Sequence, residues 1–214
     1  MATEIEWTDE TWNVLVESGL DKPLRWQKPR TVFVNSMSDL FHDDVTDEWR
    51  DSAFGIIAAT PRHHYVVLTK RIAEAVAWYR RTENLGGGDS LANVWLGPSV
   101  WDQASWDAAV PHVCALREVG WQTVVSAEPL LGPILPVSGR LVKVSWLIVG
   151  GETGPGARPM DVRWARRLRV NAGAVGVPFF FKHGGAEWPD GGQYECCPPD
   201  MQVREFPWEA DDAD

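Results

Sequence analysis

Six clusters of polar, charged and glycine residues recur along the chain, and each directly follows a short apolar run. They are Asn35-Ser36-Met37-Ser38-Asp39, Thr69-Lys70-Arg71, Gly97-Pro98-Ser99, Ser126-Ala127-Glu128-Pro129, Gly150-Gly151-Glu152-Thr153-Gly154 and Lys182-His183-Gly184-Gly185. Glu128 and Glu152 are candidate catalytic carboxylates, suited as a pair to general acid–base work or to a hard cation. A glutamate directly after an apolar run is costly to bury alone, so ion pairing to Lys70, Lys182 or Arg158 is an equally direct reading. Lys70 and Lys182 are also candidate Schiff-base amines, provided their surroundings strip water from them. The glycines of 150–156 let backbone N–H groups approach a carboxylate or phosphate, and they equally suit a tight turn.

The other reactive side chains form no such pattern. His42, His63, His64, His112 and His183 lack the spacing of a zinc site, so no metal is expected. Cys114, Cys196 and Cys197 are too few for a disulfide scaffold and fit a reducing cytoplasm. The adjacent Cys196-Cys197 pair reads as loop thiols. No Gly-x-Ser-x-Gly elbow, P-loop or His-Glu-x-x-His motif occurs. Arg163, Arg166, Arg167 and Arg169 cluster on one helical stretch, with Arg163 and Arg167 four apart on a face. Such a run is a solvated face or a contact surface for phosphate or an acidic partner.

The elements that must position these residues follow from periodicity. The apolar runs at 31–34, 65–68, 94–96, 123–125, 146–149 and 178–181 do not alternate with polar residues. Short continuous apolar runs fit strands buried on both faces, as in a parallel sheet. Their starts lie about 29 residues apart, the length of one βα unit. Amphipathic stretches fill most gaps. Thr46 is placed to cap one, Pro111 demands a kink or a late start in another, and Gly173 or Gly176 can end the last. The gap 128–144, rich in proline and glycine, leaves little room for a helix. No glycine-rich dinucleotide fingerprint follows the first run. The even repeat therefore favours an open, incomplete (β/α) barrel of about six parallel strands over a flat doubly wound sheet. In such a fold ligands meet the carboxyl ends of strands. The expected ligand-binding basin comprises Asn35, Ser36, Asp39, Thr69, Lys70, Ser99, Glu128, Gly150, Gly151, Glu152, Arg158 and Lys182.

Composition sets the bounds. With 214 residues, 44% hydrophobic and 23% charged, the chain reads as one globular unit. No apolar run is long enough to span a bilayer, and the acidic start lacks the apolar core of a signal peptide. The net charge of −10 argues against non-specific nucleic-acid binding. It is unevenly spread. Residues 53–185 carry 14 basic and 9 acidic side chains between two acidic ends, so a local basic helix face remains a route to nucleic acid. The reading divides the chain into a barrel at 1–185 and a Gly/Pro-rich acidic extension at 186–214, with the segment from Glu209 fraying.

Several longer motifs resemble a phage-borne family related to radical S-adenosylmethionine enzymes, of largely unassigned function. They are IEWT and TWN near the start, VFVNSMSDLFH at 32–42, LTKR at 68–71, EPLLGP at 128–133 and GGETGPGARPM at 150–160. The resemblance covers most of 4–185. It implies a radical-SAM-like barrel. In that family three cysteines after the Trp-Asn pair are expected to hold an iron–sulfur cluster. Here Trp12-Asn13 leads almost at once to Pro23-Leu24-Arg25-Trp26, and no cysteine precedes Cys114. The resemblance thus implies a truncated, cluster-less relative. No cofactor is expected, and S-adenosylmethionine binding is left open without being expected.

Two functions compete on this reading. In one, a non-catalytic protein of the host cytoplasm binds a viral or host protein, in DNA transactions by analogy. In the other, an enzyme uses Glu128, Glu152, Lys70 or Lys182 on a small anionic ligand. Loss of a barrel segment also exposes apolar surface. Trp7, Trp12 and Trp26, with Arg163, Arg166 and Arg167, are the expected interface residues.

Overall fold

A computed structural model describes residues 17–35, 38–81, 91–186, 188 and 194–208. Six strands form one sheet in sequential order: β1 (Thr31–Val34), β2 (His64–Thr69), β3 (Val94–Val100), β4 (Gln122–Ala127), β5 (Trp146–Gly150) and β6 (Phe179–His183). Every neighbouring pair is parallel. Sequential parallel order with intervening helices is the topology of a (β/α) barrel, and the sheet curls into half of one. The incomplete barrel expected from the repeat is therefore the fold.

The helices arise where the apolar period is helical. After two single-turn helices, α1 (Glu17–Leu20) and α2 (Lys22–Arg25), come α3 (Asp47–Ala58), α4 (Ile72–Arg81), α5 (Gln103–Glu118), the short α6 (Ser138–Leu141) and α7 (Val162–Ala174). Thr46 caps α3, its hydroxyl accepting from the Trp49 amide. Asp102 and Ser105 form a reciprocal capping box on α5. That box starts the helix well before Pro111, which sits inside it, so of the kink or late start that Pro111 demands, the late start does not occur. The proline costs one backbone bond, and the apolar face formed by Trp106, Ala109, Val110, Val113 and Leu116 outweighs it. Gly176, at φ +70°, follows α7.

The two faces of the sheet carry different cores. Outward residues such as Tyr65, Val67, Leu96, Val125, Leu147 and Phe181 pack under the helices with Phe54, Trp78 and Trp106. The concave face holds Val66, Trp95, Val124, Trp146 and Ile148, covered by Leu68, Phe180, Phe206 and Trp208. The Trp208 ring lies 4.5 Å from that of His64 on β2, 4.7 Å from that of Trp95 on β3 and 5.3 Å from that of Trp146 on β5. Strands three places apart in a flat sheet are separated by roughly 14 Å. One indole reaches all three because the sheet is curled.

Within the stretch drawn as an extension at 186–214, the described residues 194–208 pack against the half-barrel. Cys197 and Met201 join the main core. Residues 203–205 run antiparallel along the free edge of β6, where the Phe181 amide donates to the Val203 carbonyl (2.8 Å) and the Glu205 amide to the Phe179 carbonyl (3.1 Å). Phe206 and Trp208 then turn into the concave interior. This strap escaped the sequence reading because prolines and acidic residues surround its three paired positions. The segment from Glu209, expected to fray, lies outside the described residues.

Candidate functional site

Parallel strands place all their carboxyl ends on one rim. The polar residues begin earlier than the apolar runs suggested: Thr69, Ser99, Gly150, Lys182 and His183 all lie within their strands. Ser99 faces Ser126 across β3 and β4.

Three charged knots occupy the rim. The first is built on Glu128. Its carboxylate accepts from Lys182 Nζ at 2.9 Å and 3.2 Å and faces His183 Nε2 at 3.1 Å. Gly150, at the end of the intervening strand β5, makes this possible. A Cβ there would sit 3.3 Å from the Glu128 carboxyl carbon, so the bare backbone lets the carboxylate cross to β6. Burial pushes the Glu128 carboxyl up, but hydrogen bonds and charge from His183 and Lys182 overcome this and hold it below its ordinary value. Glu128 is thus ionised and held between two donors.

In the second knot Glu152 accepts from the Arg158 amide (2.7 Å) and Nε (2.9 Å), with Arg158 Nη2 on its other oxygen. The Arg158 hydrogen bonds draw its carboxyl down to about 2. Gly154 and Gly156 take positive φ values of +96° and +74°, folding the chain back so that Arg158 returns to Glu152. This loop also touches the end of β6: the Ala186 amide donates to the Glu152 carbonyl (2.8 Å), and the Gly151 amide to the His183 carbonyl (3.1 Å).

The third knot joins β1 to β2. Asp39 accepts from Thr69 Oγ1 (2.7 Å), the Phe41 amide (2.9 Å), the Lys70 amide (3.0 Å) and Arg71 Nη1 (3.4 Å). Asn35 takes a left-handed turn at φ +54° and is exposed, its carbonyl accepting from the Ser38 amide at 3.2 Å. Ser36 is outside the described residues.

The described basin residues therefore share a rim, and their carboxylates fall into separate knots. Glu128 with Lys182, and Glu152 with Arg158, take the ion-pair alternative, and no contact joins the two glutamates. Lys70 has an exposed side chain with no ion partner among the described residues, so it lacks the desolvation a Schiff-base amine needs. His183 and Arg71 are the groups the sequence reading left out. Both stood in the residues after the apolar runs, and their donor geometry, not any metal-ligand spacing, is what places them here.

The expected interface residues are dispersed. Trp26 is half-buried, edge-on to His63 at 5.7 Å and beneath Arg30 at 4.8 Å. Trp7 and Trp12 lie outside the described residues. On α7, Arg163 pairs with Asp161 and Arg166 with Asp200, while Arg167 is exposed. These pairings neutralise much of the basic face.

Cys114 lies on α5, and Cys196 and Cys197 lie in the C-terminal segment. Burial pushes the Cys114 and Cys197 thiols up, which disfavours the thiolate a metal requires. Among the described residues, no three of His, Cys, Asp and Glu converge to hold a metal ion. No helix among them is long and apolar enough to cross a membrane.

Fold and rim together define an open (β/α) half-barrel whose described strand-end carboxylates are paired within the chain. Residues 14–195 match a family described as a protein of unknown function, DUF5131, and the chain belongs to that family. No curated protein and no solved structure matches it.

The Glu128 knot has a pH signature. A folded-state value below the ordinary 4.5 means that its stabilisation is complete above 4.5 and is lost as the pH falls through the lower folded value. The stability difference between wild type and Glu128→Gln should be about 1 kcal/mol at pH 7, allowing for the half-exposed Lys182, and should vanish in strong acid. Denaturant titrations at several pH values measure it, and a difference that grows on acidification would contradict the pairing. Glu152 continues the trend, its loop loosening as the pH falls from 4.5 toward about 2.

Proposed function

We propose that this protein is a cluster-less, non-catalytic, phage-type relative of radical S-adenosylmethionine enzymes that binds a viral or host protein through its strand-end rim. The host cytoplasm is its place of action, and DNA transactions are the setting the resemblance suggests. One observation carries the reading: each described rim carboxylate, Asp39, Glu128 and Glu152, is already held by groups of the same chain. Groups spent on one another fix a surface rather than await a reacting atom. The exposed Lys70, Arg158 and Lys182 make that surface suited to an acidic patch on the partner. Absence of the three-cysteine segment supports the same reading, because the hard chemistry of such enzymes belongs to the cofactor.

Two measurements test it. Anaerobic treatment with iron and sulfide should leave no stoichiometric iron, whereas about four irons per chain with cleavage of S-adenosylmethionine would overturn the reading. Affinity capture from infected cells should recover a partner with the wild type and lose it with Lys70→Glu, which breaks no ion pair among the described residues, at unchanged melting temperature. Capture that is indifferent to rim charge would remove the rim from the account.

A second reading rests on His183. A buried-side carboxylate between an ammonium and an imidazole is a short proton path, suited to an enzyme acting on a small anionic ligand beside Lys182. Saturable binding of such a ligand, abolished by both Lys182→Ala and His183→Ala, would favour it.

A further inference from the structure

The chain treats the two edges of its sheet differently. The edge of β6 is covered by the strap at 203–205. The edge of β1 has no strand beside it among the described residues. The Arg30 carbonyl accepts from the His64 amide at 2.9 Å, so Arg30, Val32 and Val34 turn their peptide groups toward β2. Peptide groups alternate along a strand, so Thr31 and Phe33 turn theirs outward. Outward N–H and C=O groups on an extended strand are a template for another strand.

Folded proteins blunt such edges with proline, lysine, a bulge or a very short strand. β1 is short, at four residues, but carries no proline, lysine or bulge. Its four residues, Thr-Val-Phe-Val, are all β-branched or aromatic, and its register with β2 is unbroken. Phe33 is 45% exposed and stands in register with the concave-face Val66. It therefore extends the concave apolar floor to the open edge.

Charge then selects the partner and its direction. Lys28 and Arg30 precede β1, while the exposed Asp43 and Asp44 follow it; Asp39 is already held by Thr69 and Arg71, and Arg71 also approaches Asp43 at 3.8 Å without covering it. The strand therefore runs from a basic end to an acidic one. Antiparallel pairing with an identical strand brings the basic end of each copy to the acidic turn of the other. Parallel pairing would place like charges together.

We propose that β1 pairs antiparallel with β1 of a second copy about a two-fold axis, joining two half-barrels into one continuous sheet. Thr31 and Phe33 of each copy then exchange backbone hydrogen bonds with Phe33 and Thr31 of the other. The contact is self-complementary, as a two-fold interface requires.

Sedimentation velocity of the full chain across a wide concentration range tests this. A monomer–dimer equilibrium that weakens with added salt is expected. Phe33→Lys, which puts like charge into the seam, should weaken the dimer about tenfold or more. Thr31→Pro removes an outward N–H while leaving the bonds to β2, so it should weaken the dimer at little cost to the melting temperature. Lys28→Glu/Arg30→Glu should fail to self-associate yet pair with Asp43→Lys/Asp44→Lys when the two are mixed. A dimer that tolerates both Phe33→Lys and Thr31→Pro would overturn the proposal. So would a wild type that stays monomeric throughout. Protection of the Thr31 and Phe33 amides from hydrogen exchange in that monomer would show that the edge is closed from within the chain.

Discussion

Gly97→Ala should cost ~3 kcal/mol or more and abolish cooperative folding in the marginal case. A Cβ at this position would lie 1.6 Å from the Val124 carbonyl oxygen and 2.7 Å from its carbon. Both atoms belong to the backbone of β4, so no rotamer change can relieve the overlap. The strands must separate where β3 and β4 pair on either side, at Leu96 with Thr123 and at Ser99 with Ser126. Pro98 already withholds one backbone donor from this stretch, leaving little reserve. Chemical denaturation, read by tryptophan fluorescence and circular dichroism, measures the effect. A variant as stable as wild type would mean that β3 and β4 stand further apart than described.

Trp146→Ala should cost ~3–5 kcal/mol and free the strap as well. Trp146 is 2% exposed on the concave face, with Phe180 at 5.8 Å, Phe206 at 5.7 Å and Trp208 at 5.3 Å between ring centroids. Its indole N–H donates to the Glu205 carbonyl at 2.9 Å. Truncation removes packing from the sheet and the hydrogen bond that seats the strap. Two readouts separate these effects: denaturation reports the whole fold, and limited proteolysis near 194–208 reports the strap. Trp146→Phe should restore most of the packing without the hydrogen bond. If its strap stays as resistant as in wild type, the aromatic stack is the anchor and the N–H is incidental.

What the sequence reveals depends on whether a property is local. The runs at 94–96 and 146–149 are apolar throughout because strands between helices and an inner core face no water, so order and direction could be read directly. Thr46 was legible because a cap is settled within four residues. The pairing of Glu128 with Lys182 was legible as a need, since a carboxylate after a buried strand requires a donor, though its sharing with His183 was not. That sharing depends on Gly150, whose missing side chain matters only once β5 is known to lie between β4 and β6. The constraint on Gly97 is similar, arising from the backbone of another strand. Trp208 was the least legible. It lies far along the chain from His64 and Trp95, within a stretch whose prolines and acidic residues describe its surroundings and conceal its destination.

The position of Trp208 also orders events in time. It follows all six strands in the direction of synthesis, yet its ring is what His64, Trp95 and Trp146 close around. Helix packing on the convex face can proceed as each βα unit leaves the ribosome. The concave face cannot, because its last wall has not been made. Until residue 208 emerges, the nascent half-barrel presents an aromatic surface to the cell, which is the kind of surface chaperones and aggregation compete for.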